Sequence, residues 1–489
     1  MGCEAVEASN SALEPQFGPP AAGGTAGRVT RQPFVPFSDD ERRVGVRRVS
    51  RAPAWQLTVA AAFAVVMVAS TAWIVVDAAR GASIEVPRSP YTGGWLRSLP
   101  GGHLTLTVFL GCLLAFSGAY AGLLPLARRL PTRALIALIA VLYGLVFISP
   151  IIVSTDVFSY IAYARMGAVH GLNPYSSVPL AIRHDPIYPF VGIDWIAVPS
   201  AYGPLYTIFS YPFALLGVVG ALWGMKAASL LGCVAVDWLT WRCAQRRGID
   251  PKFALMVVAV NPLVVIYSLA SAQNDFLMVA LTMLAVYLTV TETGAGGAVS
   301  ARGGRLHVNA REAWAGALLA AAALVKVSAA VPLPFMIVRR RRSSSVVGAL
   351  AALGLGLGVA YALFGIHGVN LLSGVNRDSA LVSYDGFAKE IAHMLGKPGV
   401  FPVDHTLLKG ALVLIGTYLL LRTWRGYDWI SASGWALLAS AVTSTWLQPW
   451  YLIWPLPLAV IARDRRLLWG TLLVQALFVI HQLAPFFTP

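Results

Sequence analysis

Apolar runs long enough to cross a bilayer recur along most of this chain, and no other feature constrains its fold as strongly. A spanning helix needs about 20 mostly apolar residues. Such runs lie near 54–76, 104–126, 134–153, 204–219, 222–241, 253–270, 276–291, 313–338, 346–364, 406–422, 429–445, 451–462 and 467–483. Of the 489 residues, 57% are apolar and 12% charged. A soluble domain carries about 25% charged residues. A soluble cytosolic enzyme is therefore excluded. The expected fold class is an all-α polytopic membrane protein with about 12–14 membrane helices and a helical outer loop.

The formal net charge is +15 and comes mostly from arginine. The arginines stand between the apolar runs, as the positive-inside rule predicts for cytoplasmic loops. No nucleic-acid partner is expected. Cys3, Cys112, Cys233 and Cys243 form no CxxC pair, so neither a disulfide framework nor a zinc site is implied. Residues 1–53 are rich in Gly, Pro, Ala and Ser and then in Arg. They read as a disordered cytoplasmic tail, too long and polar for a signal peptide. Residues 54–489 are expected to form the membrane domain.

Basic clusters follow at Arg128/Arg129/Arg133, Arg242–Lys252, Arg302–Arg311, Arg339–Arg342, Arg422/Arg425 and Arg463–Arg466. They cannot all be cytoplasmic if every apolar run is a simple span. Two changes restore the parity. Segment 204–219, with Pro204 and Pro212, becomes a re-entrant or interfacial helix. Segment 313–338 becomes a hairpin turning near Lys326. Irregular backbone survives at membrane depth only where protein or a wet cavity covers it, so the repair predicts an outer cavity. It places 154–203, 271–275 and 365–405 outside, with the C-terminus. The Gly-rich stretch 294–304 lacks a Walker lysine and reads as a cytoplasmic loop. No internal repeat is evident, which disfavours an inverted-repeat transporter.

Chemistry concentrates in the outer segments. Asp156 directly follows an apolar run, where a carboxylate can take a proton from a sugar hydroxyl at the bilayer surface. The alternative is a helix N-cap. Tyr160, Tyr175 and Tyr202 crowd the same loop. They can stack on sugar rings or belong to an interfacial aromatic belt. Arg165 can pair with a phosphate or snorkel at the surface. Gln273, Asn274 and Asp275 form a polar break that can bind sugar hydroxyls, orient the base or simply cap the next helix. Lys326 is an ionisable residue inside an apolar segment, a functional-site candidate by default, with an anionic lipid phosphate as its natural partner. The loop 365–405 carries Arg377, Asp378, Asp385, His393 and His405, and its histidines make no convincing metal set. Gln448 and Trp450 sit at an outer helix junction and can line a sugar site.

These pieces together resemble the GT-C superfamily of integral-membrane glycosyltransferases that use polyprenyl-phosphate sugars. More closely, the chain is similar to the actinobacterial polyprenol-phosphate-mannose-dependent α-(1→6)-mannosyltransferases. The resemblance is carried by Asp156-Val157-Phe158-Ser159-Tyr160, Gly171-Leu172-Asn173-Pro174-Tyr175 and Tyr202-Gly203-Pro204-Leu205-Tyr206. Asn261-Pro262, Asn274-Asp275, Lys326 and Gln448-Pro449-Trp450-Tyr451 add to it. It spans roughly 104–483. One departure is Gln273, where the family pattern has histidine before the Asn-Asp pair.

The resemblance implies a GT-C type fold and a multi-pass protein of the cell membrane with its active site on the extracytoplasmic side. It implies transfer of mannose from polyprenyl-phosphate mannose to an α-mannan or lipomannan-type acceptor, with inversion. Asp156 would be the base, and Lys326 with Arg165 would hold the donor phosphate. No cofactor and no metal are expected. The competing class is a transporter or lipid-linked sugar flippase. It would spread its charges along a path through the membrane rather than gather them on one face.

Overall fold

The apolar runs form helices, and proline, glycine and polar caps decide where they stop. The computed structural model describes residues 53–81, 86, 89–290, 309–341, 343–370, 381–383 and 386–482. The expected tail, the loop 294–304, Arg302, Arg305, Arg342, Arg377, Asp378, Tyr384 and Asp385 lie outside the described residues. Two units divide the chain, Met1–Ser50 and Arg51–Pro489, and everything below concerns the second.

In chain order the helices are α1 (Ala54–Arg80), α2 (Leu106–Leu123), α3 (Thr132–Ile148), α4 (Asp156–Ala168), α5 (Pro204–Ala214) and α6 (Gly217–Arg246). Next come α7 (Pro251–Ala259), a π-helical stretch (Leu263–Leu269), α8 (Asp275–Thr289), α9 (Ala310–Val325), α10 (Pro332–Arg340) and α11 (Ser343–Val369). The last are α12 (Phe387–Met394), α13 (Pro402–Trp424), α14 (Trp429–Val442), α15 (Leu456–Ile461) and α16 (Arg465–His481). Among the described residues there is no strand.

Local sequence accounts for several starts. Asp250 caps α7 by accepting from the backbone of Lys252 and Phe253, with Pro251 in the first turn. Asn309, Asp428 and Asp464 cap α9, α14 and α16 in the same way. Helix α9 packs against α8 and α11, α6 against α8, and α4 against α5.

Among the described residues, five helices are long and apolar enough to cross a membrane alone: α1, the Leu106–Arg129 stretch, α6, α11 and α13. A sixth span arises if the bent pair Pro251–Ala259 and Leu263–Leu269 is counted as one. The remaining runs are shorter helices, so apolar length overstated the number of full-length helices. Their burial explains the difference. Residues 254–274 are buried almost without interruption, so this segment lies inside the protein rather than against lipid. Helices α11 and α13 leave most of their apolar side chains exposed, as lipid-facing helices do.

Run 253–270 is not one straight helix. It bends by 42° at Asn261-Pro262. Pro262 has no N–H to continue the ladder, and the Asn261 amide oxygen accepts from Leu263 N at 3.0 Å in its place. The other two segments singled out by charge parity are irregular as well. Helix α5 has 11 residues, about half of a span. Segment 313–338 breaks at Lys326, whose backbone is extended (φ −153°, ψ 126°) between α9 and a short 3-10 turn.

Candidate active site

The break after α3 delivers Asp156 to a cavity of about 450 Å³. Ser154 Oγ accepts from Asp156 N at 3.2 Å and tightens the turn. Thr155 holds the cap position, so Asp156 is the first helical residue and not the N-cap. One oxygen of its carboxylate accepts from Gln273 Nε2 at 3.5 Å. The Gln273 amide is oriented from behind, because Tyr160 donates its hydroxyl to Gln273 Oε1 at 2.7 Å. Burial pushes the Asp156 carboxyl up to about 6, against the pull of nearby Lys326 and the Gln273 hydrogen bond. A carboxylate in that range is ionised at neutral pH and basic enough to take a proton.

Lys326 borders the same cavity. Its Nζ lies 3.1 and 3.3 Å from the two oxygens of Asp275. It also sits 4.8 Å from the Tyr451 ring and 5.2 Å from the Trp454 ring, within cation–π range. Asp275 has no exposed surface, and it also accepts from Trp454 Nε1 at 2.5 Å. Asp275 therefore serves as the fixed countercharge of Lys326. Among the described residues, Asp156 and Lys326 are the only charged side chains that border the cavity.

The turn that holds Gln273 and Asp275 is strained. Ala272 has φ +52°, a left-handed conformation that non-glycine residues rarely adopt. The lysine turn is fixed from the other side. Gly203 N donates to Val325 O at 3.0 Å. A Cβ on Gly203 would stand 2.0 Å from Leu324 O, so only glycine permits this approach.

Of the residues given a catalytic or binding role from the sequence, five border the cavity: Asp156, Tyr202, Lys326, Gln448 and Trp450. Tyr160, Gln273 and Asp275 lie directly behind it, holding the two charged groups. Asn274 is buried at the cap position of α8, and neither its amide nitrogen nor its oxygen has a protein partner. Tyr175 does not reach the cavity. Its hydroxyl bonds Tyr202 O at 3.0 Å and Thr207 Oγ1 at 2.8 Å, and its ring packs edge-on against Phe364. It braces Tyr202 instead of meeting a ligand.

Arg165 requires a correction. It grips Asp185 through Nε (2.8 Å) and Nη2 (2.9 Å) and donates to Ala214 O at 3.1 Å. Burial pushes the Asp185 carboxyl up, but hydrogen bonds from Arg165 and His170 outweigh it and hold the group below its ordinary value. The guanidinium donors are engaged inside the loop, and Arg165 does not border the cavity. It fastens the 154–203 segment to the end of α5.

Sequence reasoning missed several lining residues, among them Ser440, Ser444, Tyr267 and Gln482. Each looks like an ordinary helix residue in the sequence and carries no local signal.

A family profile described as Alpha-(1->6)-mannopyranosyltransferase, N-terminal domain, matches residues 56–342. The chain is similar to alpha-(1->6)-mannopyranosyltransferase A of Mycobacterium tuberculosis, at 28% identity over 354 residues, covering 66% of this chain and 65% of that protein. It is similar to alpha-(1->6)-mannopyranosyltransferase A of Corynebacterium glutamicum, at 28% over 207 residues, 41% of this chain and 37% of that one. It is also similar to alpha-(1->6)-mannopyranosyltransferase B of the same species, at 22% over 343 residues, 62% and 55% of the two chains. The chain thus spans less than two thirds of the length of these relatives. No solved structure matches it. Asp156, Gln273, Asp275 and Lys326 all fall inside the matched region. The chain belongs to the alpha-(1->6)-mannopyranosyltransferase family.

Proposed function

We propose that this chain is an integral-membrane mannosyltransferase that forms α-(1→6) linkages. It takes mannose from polyprenyl-phosphate mannose and transfers it to an α-mannan or lipomannan-type acceptor. The donor's lipid tail lies in the bilayer of the cell membrane, and the reaction takes place on the extracytoplasmic side. The observation that carries this reading is one cavity bordered by both a carboxylate of raised basicity, Asp156, and a lysine, Lys326. The printed names of the relatives supply the sugar and the linkage.

Asp156 takes the proton from the 6-hydroxyl of an acceptor mannose as that oxygen attacks the anomeric carbon of the β-mannosyl phosphate. The C1–O bond to phosphate breaks on the opposite side, and configuration inverts to α. The electron pair leaves with the polyprenyl phosphate. Lys326 stands beside this phosphate and stabilises the charge that develops on it. Since phosphate is a good leaving group, no general acid is assigned. Gln273 holds one oxygen of Asp156, which leaves the other for the hydroxyl.

The test is Asp156→Asn in purified full-length protein with labelled polyprenyl-phosphate mannose and an α-mannoside acceptor. Loss of a general base lowers kcat by about 10²- to 10⁴-fold, with the donor still bound. Transfer at the wild-type rate would remove Asp156 as the base.

A further inference from the structure

Part of the cavity wall takes no role in the chemistry above. It consists of Ser440 on α14, Ser444 just beyond that helix, Gln448 in the following loop and Gln482 after α16. None of these side chains is charged. Ser440 Oγ donates to Leu437 O at 2.8 Å, which leaves its lone pairs as acceptors. Gln482 Nε2 is buried and has no hydrogen-bond partner in the protein. A buried donor of this kind keeps the full penalty of its lost hydration until something accepts from it.

Aromatic rings complete the wall. Tyr267 stands edge-on to Phe109 at 6.0 Å and to Phe478 at 6.1 Å, one turn before Gln482. Tyr267, Phe109 and Trp446 also border the cavity. Neutral hydrogen-bonding groups beside aromatic rings suit one ligand class. A sugar offers hydroxyls to the amide and the serines and C–H faces to the rings. An anionic group would find no cation among these residues. An alkyl chain would leave the buried amide unsatisfied. Ser440, Ser444, Gln448 and Gln482 also lie beyond residues 56–342, whereas Asp156 and Lys326 lie within them. The reacting groups and this neutral wall therefore come from different parts of the chain.

We propose that this wall is the acceptor subsite. It binds an uncharged α-mannoside, with the Gln482 amide turning its unpartnered Nε2 from its buried position to donate to a sugar hydroxyl and the hydroxyls of Ser440 and Ser444 exchanging hydrogen bonds with the same glycan. The proposal rests on the transferase reading for its acceptor, and its test separates the two.

Transfer is measured with purified full-length protein, polyprenyl-phosphate mannose and octyl α-(1→6)-mannobioside. Gln482→Ala and Ser444→Ala each raise the acceptor KM roughly five- to tenfold, the weight of one neutral hydrogen bond. The donor KM stays unchanged. An unchanged acceptor KM, or an equal rise for donor and acceptor, overturns the subsite. If Gln482→Ala does not accumulate as folded protein, Gln482→Asn carries the same expectation.

Binding of the mannobioside alone is followed by quenching of tryptophan fluorescence. If wild-type protein binds it saturably, the variants bind it more weakly and no transfer occurs, the transferase reading fails and the subsite stands. If wild-type protein transfers mannose but both variants bind the mannobioside as well as it does, the subsite fails and the transferase reading stands.

Discussion

At the scale of single residues, the site is a short chain of held groups. Tyr160 orients Gln273, Gln273 holds Asp156, and Trp454 with Asp275 holds Lys326. Asp156 has its carboxyl raised to about 6, and both Lys326 and Gln273 act to lower it. A base must be deprotonated to work, so activity falls as pH drops through about 6. Gln273→Leu removes one lowering influence, which shifts this acid limb to higher pH. A kcat/KM profile from pH 5 to 8 checks it, and an unmoved limb would show that Gln273 does not touch the base. Lys326→Met moves the limb the same way and raises the donor KM by more than the acceptor KM. Equal changes in both would make Lys326 a structural lysine. Asp156 and Lys326 were legible because a charge beside or inside an apolar run is conspicuous. The Asp275–Lys326 pair was not, because 51 positions separate its members. Arg165 was misread for the same reason, since its partner Asp185 looked like any other loop carboxylate.

At the scale of elements, broken helices position the chemistry. The bend at Asn261-Pro262 leads into the π-helical stretch that carries Tyr267 and then into the strained 271–275 turn. Gly203 clips the start of α5 onto the end of α9, next to Lys326. Gly203→Ala forces a Cβ against the Leu324 carbonyl and costs about 1–3 kcal/mol, as overpacking does. The expected result is a lower melting temperature in detergent together with a weaker donor KM, because the backbone that must retreat carries Lys326. A variant with a normal melting temperature and normal kinetics would show that the clip is dispensable. Positive-inside parity had marked 204–219 and 313–338 as irregular, and both are. It gave no warning for 253–270, because an apolar run with one proline keeps the same charge balance whether it is straight or bent.

At the scale of the whole molecule, the long helices α11 and α13 expose most of their apolar side chains while residues 254–274 are buried, and the cavity wall comes mainly from short helices and the turns between helices, with Leu106 and Phe109 of α2 joining it. Arginine placement predicts which surface faces the cytoplasm. In a chain whose native cysteines are replaced by alanine, Asp194→Cys reacts with a membrane-impermeant thiol reagent added to intact cells. Arg465→Cys reacts only after permeabilisation. The reverse pattern would invert the orientation and the side of the reaction. By itself, the sequence determined what is local or summed along the chain. Apolar length and low charge require membrane helices. Arginine clusters mark loops, and isolated charges at helix ends mark Asp156 and Lys326. Tertiary structure alone decided which distant groups meet. It engaged Arg165 with Asp185, set Asp275 against Lys326, and brought serine and glutamine from α14 and beyond α16 to the same cavity as Asp156. The physical reason is that helices form from short-range patterns, whereas a cavity forms from the packing of segments hundreds of residues apart, which no local pattern records.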